Sequence, residues 1–248
     1  MHAIRHLAIV GPGRLGRSLA QLAEPTPLDV SLTRDPSAIP NDAEAVLLTV
    51  PDGAIETVAR QCPTNRPLLH SSGATDLEAL GPHPLPGSFH PLMTFPGPDV
   101  GIPDVTNVPV ALAGCDDALA VGRQLASLLG MHAFEVHGDR RLYHAAAVMA
   151  GNFATVLLAE AAGILDRADI GEELPGPLLA PLALQSLKFA MQDPRRALTG
   201  PAARGDHEVI EMHRAALASH ELSGALDLYD ALLARTRALV NENDREGT

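Results

Sequence analysis

The feature that most constrains this chain is a run of six residues near its start, Gly11-Pro12-Gly13-Arg14-Leu15-Gly16. It directly follows a short apolar run at 6–10 and opens a helix-like stretch, LGRSLAQLAE. Glycines spaced G-x-G-x-x-G between a strand and a helix are the fingerprint of a dinucleotide-binding βαβ unit. Each glycine has its own physical task. Gly11 takes the tight turn, Gly13 lets the backbone approach a pyrophosphate, and Gly16 lets helix and strand pack closely. The start of the helix then offers free N–H groups and a positive dipole end to phosphates. Pro12, Arg14 and Leu15 complete the expected cofactor turn. The plain alternative is a glycine-rich turn without a cofactor. The order of strand, motif and helix favours the cofactor.

The end of the second strand discriminates between the nicotinamide cofactors. An acidic side chain there holds a ribose 2′-OH, whereas arginine suits a 2′-phosphate. The sequence reads Ser31-Leu32-Thr33-Arg34-Asp35. Arg34, with Thr33 as helper and Arg14 nearby, points to NADP. NAD stays open if Asp35 is the ribose ligand.

The rest of the first half repeats the same alternation. Apolar strand candidates lie at 6–10, 28–33, 45–50, 67–70, 108–113 and 133–136, with helical stretches between them. This predicts an α/β fold: an N-terminal Rossmann-like, doubly wound, mainly parallel sheet covered on both faces. The segment 82–109 holds eight prolines and reads as an ordered but irregular loop, packed by Phe89, Leu92, Met93 and Phe95. From about residue 140 only helical patterns follow. The expected division is a dinucleotide-binding domain at 1–139 and an all-α substrate and dimerisation domain at 140–248.

Composition narrows the partners. Lys+Arg number 18 against 30 Asp+Glu, for a net charge of −12. No broad basic surface for nucleic acid or anionic membrane is expected, so anions must be held at local sites. Cys62 and Cys115 form neither a disulfide framework nor a zinc pair, and no metal is expected. Thiols in this number suit a reducing, cytoplasmic setting. The apolar stretch Leu7-Ala8-Ile9-Val10 is too short for a signal-peptide core. The charge-free run 144–159 contains Asn152 and is shorter than a bilayer-spanning helix. A soluble protein is therefore expected. Aromatic residues are only 3%, without Trp. The cofactor should rest on backbone glycines and aliphatic side chains.

Further motifs follow in order: Val50-Pro51-Asp52, His70-Ser71-Ser72-Gly73, Gly87-Ser88-Phe89-His90-Pro91-Leu92, Tyr143-His144 leading to Asn152, Thr199-Gly200-Pro201 and Arg204-Gly205-Asp206. With GPGRLG they resemble the family that joins a Rossmann-like domain to a C-terminal domain of unknown function. That family sits in the 6-phosphogluconate-dehydrogenase-like superfamily, alongside ketopantoate reductase, pyrroline-5-carboxylate reductase and prephenate dehydrogenase. The resemblance covers nearly the whole chain. It implies an NAD(P)-dependent oxidoreductase with its site in the interdomain cleft, and a homodimer formed through the all-α domain. It names no substrate.

Candidate chemistry follows from position. Val50, Pro51 and Asp52 end a strand and should abut the cofactor, since ligands bind at that edge of such sheets. His70, Ser71 and Ser72 end the next strand, where nicotinamide and substrate would meet. His90-Pro91 resembles the segment that carries a catalytic histidine in prephenate dehydrogenases. On the long helix, His144 and Asn152 stand about 80° apart by helical periodicity and can face one cleft. Related β-hydroxyacid dehydrogenases carry Lys and Asn four residues apart there, but no Lys lies between 139 and 187 here. His144 or His90 must then exchange the proton, and histidine suits that role near neutral pH. Buried structural roles for His90, His144 and Asn152 stay open. Thr199 and Arg204 are the substrate-binding candidates of the second domain, Arg204 as a carboxylate clamp, with an ion pair to Asp206 as its alternative. Asp206 or Thr199 should cap the next helix. The expected activity is NADP-dependent hydride transfer to or from a small carboxylated substrate at C=O or C=N. The alternatives are a nucleotide-bound sensor without turnover and a prephenate-dehydrogenase-like activity.

Overall fold

A computed structural model describes the backbone of residues 4–246 and the side chains of residues 4–241. In chain order the first elements are β1 (His6–Val10), α1 (Arg14–Ala23), β2 (Asp29–Thr33), β3 (Ala45–Leu48), α2 (Ile55–Ala59), β4 (Leu68–His70) and β5 (Pro86–Pro91). They are followed by β6 (Pro109–Gly114), α3 (Asp116–Leu128), β7 (His132–Glu135) and α4 (Arg140–Val148). The last elements are helical: α5 (Ala154–Arg167), α6 (Pro175–Ala190), α7 (Pro194–Ala197), α8 (Pro201–Arg204), α9 (His207–Ser219) and α10 (Ser223–Glu246).

The seven strands form one sheet in the order β2-β1-β3-β4-β5-β6-β7. Pairing is parallel except between β5 and β6. This is the Rossmann-like, mainly parallel α/β architecture that the alternation predicts. The chain leaves β1 for β2 on one side and returns to β3 on the other. The carboxyl ends of β1 and β3 therefore form a switch point, the place where open α/β sheets bind ligands.

Each central strand is apolar on both faces because both faces are covered. Ile9, Leu47, Leu69, Phe89 and Leu112 pack on one side with Leu19 of α1 and Leu125 of α3. Val10, Val46, Leu48 and Leu68 pack on the other with Ile55 and Ala59 of α2.

The proline-rich segment contains a strand, which corrects the expectation of an irregular loop over 82–109. β5 pairs with β4 over Pro86–Ser88 and with β6 over Gly87–Pro91, and its prolines, 86 and 91, stand at its two ends. Proline is tolerated at a strand's first position, where no ladder donor is lost. Pro86 keeps its carbonyl in use, accepting from the Cys115 N–H at 3.1 Å. His90 accordingly sits on a strand.

The chain forms two compact units, Met1–Gly151 and Asn152–Thr248. Compactness thus changes at 151/152, beyond the 139/140 boundary expected from pattern. The reason is local: α4 is helical, but its Arg140 and Tyr143 are bonded to β4–β5 residues of the first unit. Between α4 and α5 the helix continues through one π turn, Met149–Phe153. The continuous helical stretch Arg140–Arg167 contains an 18-residue segment of mean hydropathy 1.6 and is long and apolar enough to cross a membrane, longer than the charge-free run suggested. In the second unit, the buried hydrophobic residues among those described are Ile210, Leu217, Ala225 and Leu233, all on α9 and α10.

Candidate functional site

The glycine turn has the shape its spacing requires. Gly11 adopts φ +120°, and a Cβ there would stand 2.7 Å from the Thr49 carbonyl. The Thr49 hydroxyl donates to the Gly11 carbonyl at 2.6 Å, tying the ends of β1 and β3 together. A Cβ on Gly16 would lie 2.2 Å from the Gly11 oxygen. Both glycines are therefore required by packing. Gly13 is different. It is exposed, and the nearest atom to a Cβ there, Thr49 O, is 3.9 Å away. It starts α1 with no side-chain cap and no acidic residue in the first turn. An open backbone position at an uncapped positive helix end fits a pyrophosphate. Leu15 packs into the core beneath, Pro12 is half-buried and Arg14 is exposed.

At the end of β2 the Thr33 hydroxyl accepts the Asp35 N–H at 3.1 Å, and Asp35 Oδ1 accepts the Ser37 N–H at 2.9 Å. The bond to Ser37 holds the Asp35 carboxyl below its ordinary range. Asp35 thus caps the turn Pro36–Ala38. Arg34 beside it is exposed.

The second cluster gathers on β4, β5 and α4. His70 is fully buried at the end of β4 and paired in register with Ser88. Its Nδ1 accepts the Ser72 N–H at 3.2 Å, so the ring shapes the turn that follows. Burial, and then the charge of Arg140, push His70 down to about 4. Its ring reaches the site through that turn and not through solvent. The Ser72 hydroxyl donates to Asp52 Oδ2 and meets Thr75 Oγ1, both at 2.8 Å, and accepts the Thr75 N–H at 3.0 Å. Ser72 and Asp52 thereby join the ends of β3 and β4. Val50 and Ser71 are half-buried and Pro51 is exposed at the same edge.

His90 Nδ1 lies 2.8 Å from the Tyr143 hydroxyl. The His90 and His144 rings meet edge to face at 5.7 Å. Gly73 makes this approach possible, because a Cβ there would stand 2.5 Å from His144 Cδ2 and 2.9 Å from His90 Nε2. Burial is the main force pushing His90 down to about 4, helped by His144 and Arg140. Burial also raises Tyr143. Both groups are neutral near pH 7. His90 Nε2 lies on the Gly73 side, and in the tautomer in which the phenol donates to Nδ1 the ring proton resides on Nε2. A neutral imidazole whose N–H is held in place can polarise a carbonyl or imine and exchange its proton.

The structure therefore brings together Ser72, Asp52, His90 and His144. Sequence reading singled out neither Tyr143, Arg140 nor Gly73 as site residues, although each lies in or beside a quoted motif. Asn152 opens the second unit and is exposed, and the π turn shifts its phase from the ideal helical one. Thr199 lines a cavity of about 460 Å³ with Phe189, Gln192 and Arg196. Arg204 ends α8 and is exposed. Asp206 does cap α9, its carboxylate accepting the Val209 N–H at 3.3 Å.

Solved structures share this fold. A Bacteroides fragilis protein provisionally assigned as an NADP oxidoreductase matches with a TM-score of 0.80 and 21% identity, over 95% of this chain and 99% of that one. A Thermotoga maritima protein matches at 0.71 and 24%, over 96% and 99%. Plasmodium falciparum pyrroline carboxylate reductase, solved with NADP bound, matches at 0.58 and 13%, over 97% and 99%. No curated protein matches the sequence. Residues 108–236, half of the chain, match the model of a domain of unknown function, DUF2520. The chain belongs to the DUF2520 family and has a Rossmann-type fold.

Proposed function

We propose that the chain is an NADP-preferring oxidoreductase acting on a small carboxylated substrate at C=O or C=N. One observation carries the reading: the open glycine turn and the neutral His90–Tyr143 pair stand on the same carboxyl edge of one sheet. NADP supplies hydride chemistry when bound. Gly11 and Gly16 shape its turn, Gly13 and the start of α1 receive the pyrophosphate, and Arg34 pairs with the 2′-phosphate. His90 presents an N–H to the reacting oxygen or nitrogen, and Tyr143 holds that ring in orientation. Ser72 and Asp52 brace the floor. The fold shared with nicotinamide-dependent reductases supports this reading.

The test follows NADPH absorbance with a panel of 2-oxo acids, 3-oxo acids and cyclic imines. Saturable binding of NADPH with turnover of at least one member is expected. Tight NADPH binding without turnover of any favours a nucleotide-bound sensor.

The same reading includes a homodimer through the second unit. Leu157 and Leu158 of α5 and Leu182, Leu187 and Phe189 of α6 are exposed, although large apolar side chains normally find cover. A second copy supplies matching helices, and α9 and α10 bury too little to stabilise a helical unit alone. Light scattering should give twice 26.0 kDa. A 26.0 kDa particle, or partition of the chain into membranes, overturns it.

A further inference from the structure

Arg140 and Arg141 are adjacent in sequence and opposite in circumstance. Arg141 is exposed and paired with Asp139, Nε to Oδ1 at 3.0 Å. Arg140 is only 5% exposed, and among the described residues its one side-chain hydrogen bond runs from NH2 to the Ser72 carbonyl at 2.9 Å. Its Nε and NH1 are buried with no partner among those residues. No carboxylate forms an ion pair with it among the described residues, and Asp76 acts only at a distance. A buried guanidinium without a counter-charge is costly.

Arg140 is the first residue of the nine-residue α4, whose N-cap Asp139 gives its carboxylate to the Arg141 N–H and side chain and not to Arg140. Further unpartnered polar groups lie in the same part of the fold. His70 Nδ1 already accepts from Ser72, so His70 Nε2 carries the ring proton, and it too is buried without a partner. The Ser88 hydroxyl, in register with His70, is likewise unpartnered. An unpaired guanidinium and an unpartnered imidazole N–H thus lie in the same part of the fold as the His90–Tyr143 pair.

We propose that Arg140 is the anchor for the substrate carboxylate. With NH2 bonded to the Ser72 carbonyl, the guanidinium still has N–H donors on Nε and NH1, along different edges of the group, each able to make a charge-assisted bond to a carboxylate oxygen. Its position beside His90 sets the carboxylate next to the carbon that exchanges hydride, as in a 2-oxo or 2-imino acid. Neither nitrogen reaches solvent, so entry requires a covering side chain to turn. Tyr143 and His144, three and four residues on, lie over Arg140 on the helix face and are half-buried. The proposal rests on the oxidoreductase reading for its substrate, but its binding test does not need the cofactor.

The test measures pyruvate binding by calorimetry without cofactor, with pyruvamide and inorganic phosphate as comparison probes, and NADPH titrated separately. Wild type should bind pyruvate saturably at millimolar concentration or better. Arg140→Gln should weaken pyruvate roughly 10- to 100-fold. It should leave pyruvamide and NADPH binding unchanged. Arg140→Lys keeps the charge but not the several planar donors, and should lose about tenfold; it carries the test if Arg140→Gln does not fold. Unchanged pyruvate affinity, equal loss for pyruvate and pyruvamide, preference for phosphate over pyruvate, or no saturable binding by wild type each overturns the anchor. Failure of NADPH to bind wild type overturns the oxidoreductase reading and leaves the anchor to the pyruvate arm.

Discussion

The Tyr143 hydroxyl and His90 Nδ1 are 2.8 Å apart, with their rings edge to face at 5.6 Å. This pair joins the first turn of α4 to the end of β5, and it fixes which imidazole nitrogen faces the Gly73 side. Replacing His90 with Ala should lower turnover by about 10²–10⁴-fold, the range of general acid–base contributions. Tyr143→Phe removes only the hydroxyl, frees the ring and should cost less. NADPH affinity, measured by fluorescence titration, should stay the same in both variants, since neither residue belongs to the glycine turn.

Proton uptake should make stability fall on acidification. His70 and His90 are pushed from 6.5 to about 4 in the folded chain. Between those values the unfolded chain binds protons that the folded chain refuses. Their contribution is therefore fully present above about pH 6.5 and lost progressively as pH falls toward 4. Denaturant unfolding across that window should show decreasing stability, on the order of a few kcal/mol for the two residues together. His70→Asn should flatten part of the slope.

Two glycine substitutions should separate packing from ligand binding. Gly16→Ala drives a Cβ to 2.2 Å from the Gly11 oxygen, so the chain should lose roughly 1–3 kcal/mol or more of stability. Gly13→Asp enters open space and should fold normally. Its carboxylate would face the pyrophosphate, so NADPH binding should disappear. Thermal melting and cofactor titration of both variants check this.

Cofactor choice should turn on Arg34. On the proposed reading the exposed Arg34 pairs with the 2′-phosphate, beside Asp35, whose Oδ1 accepts the Ser37 N–H. Arg34→Ala should weaken NADPH by about 10-fold or more and NADH little. Equal affinities of wild type for the two cofactors would remove the preference.

The sequence by itself determined the Rossmann-type start. Strand, glycine turn and helix are set by neighbours within a few residues, and the structure puts β1 at the predicted 6–10 and a helix directly after the turn. The all-α character beyond the sheet was equally legible, because helical periodicity is local. What tertiary structure decided lies at long range. β5 was hidden because its prolines flank a strand stabilised by two neighbours. The His90–Tyr143 bond spans 53 residues and the Arg140–Ser72 bond 68. Two adjacent arginines read alike in sequence, and only packing buries one and leaves the other paired in solvent. Burial is a property of everything a residue packs against, so it set the ionisation of His90 and the unmet charge of Arg140, which no local pattern encodes.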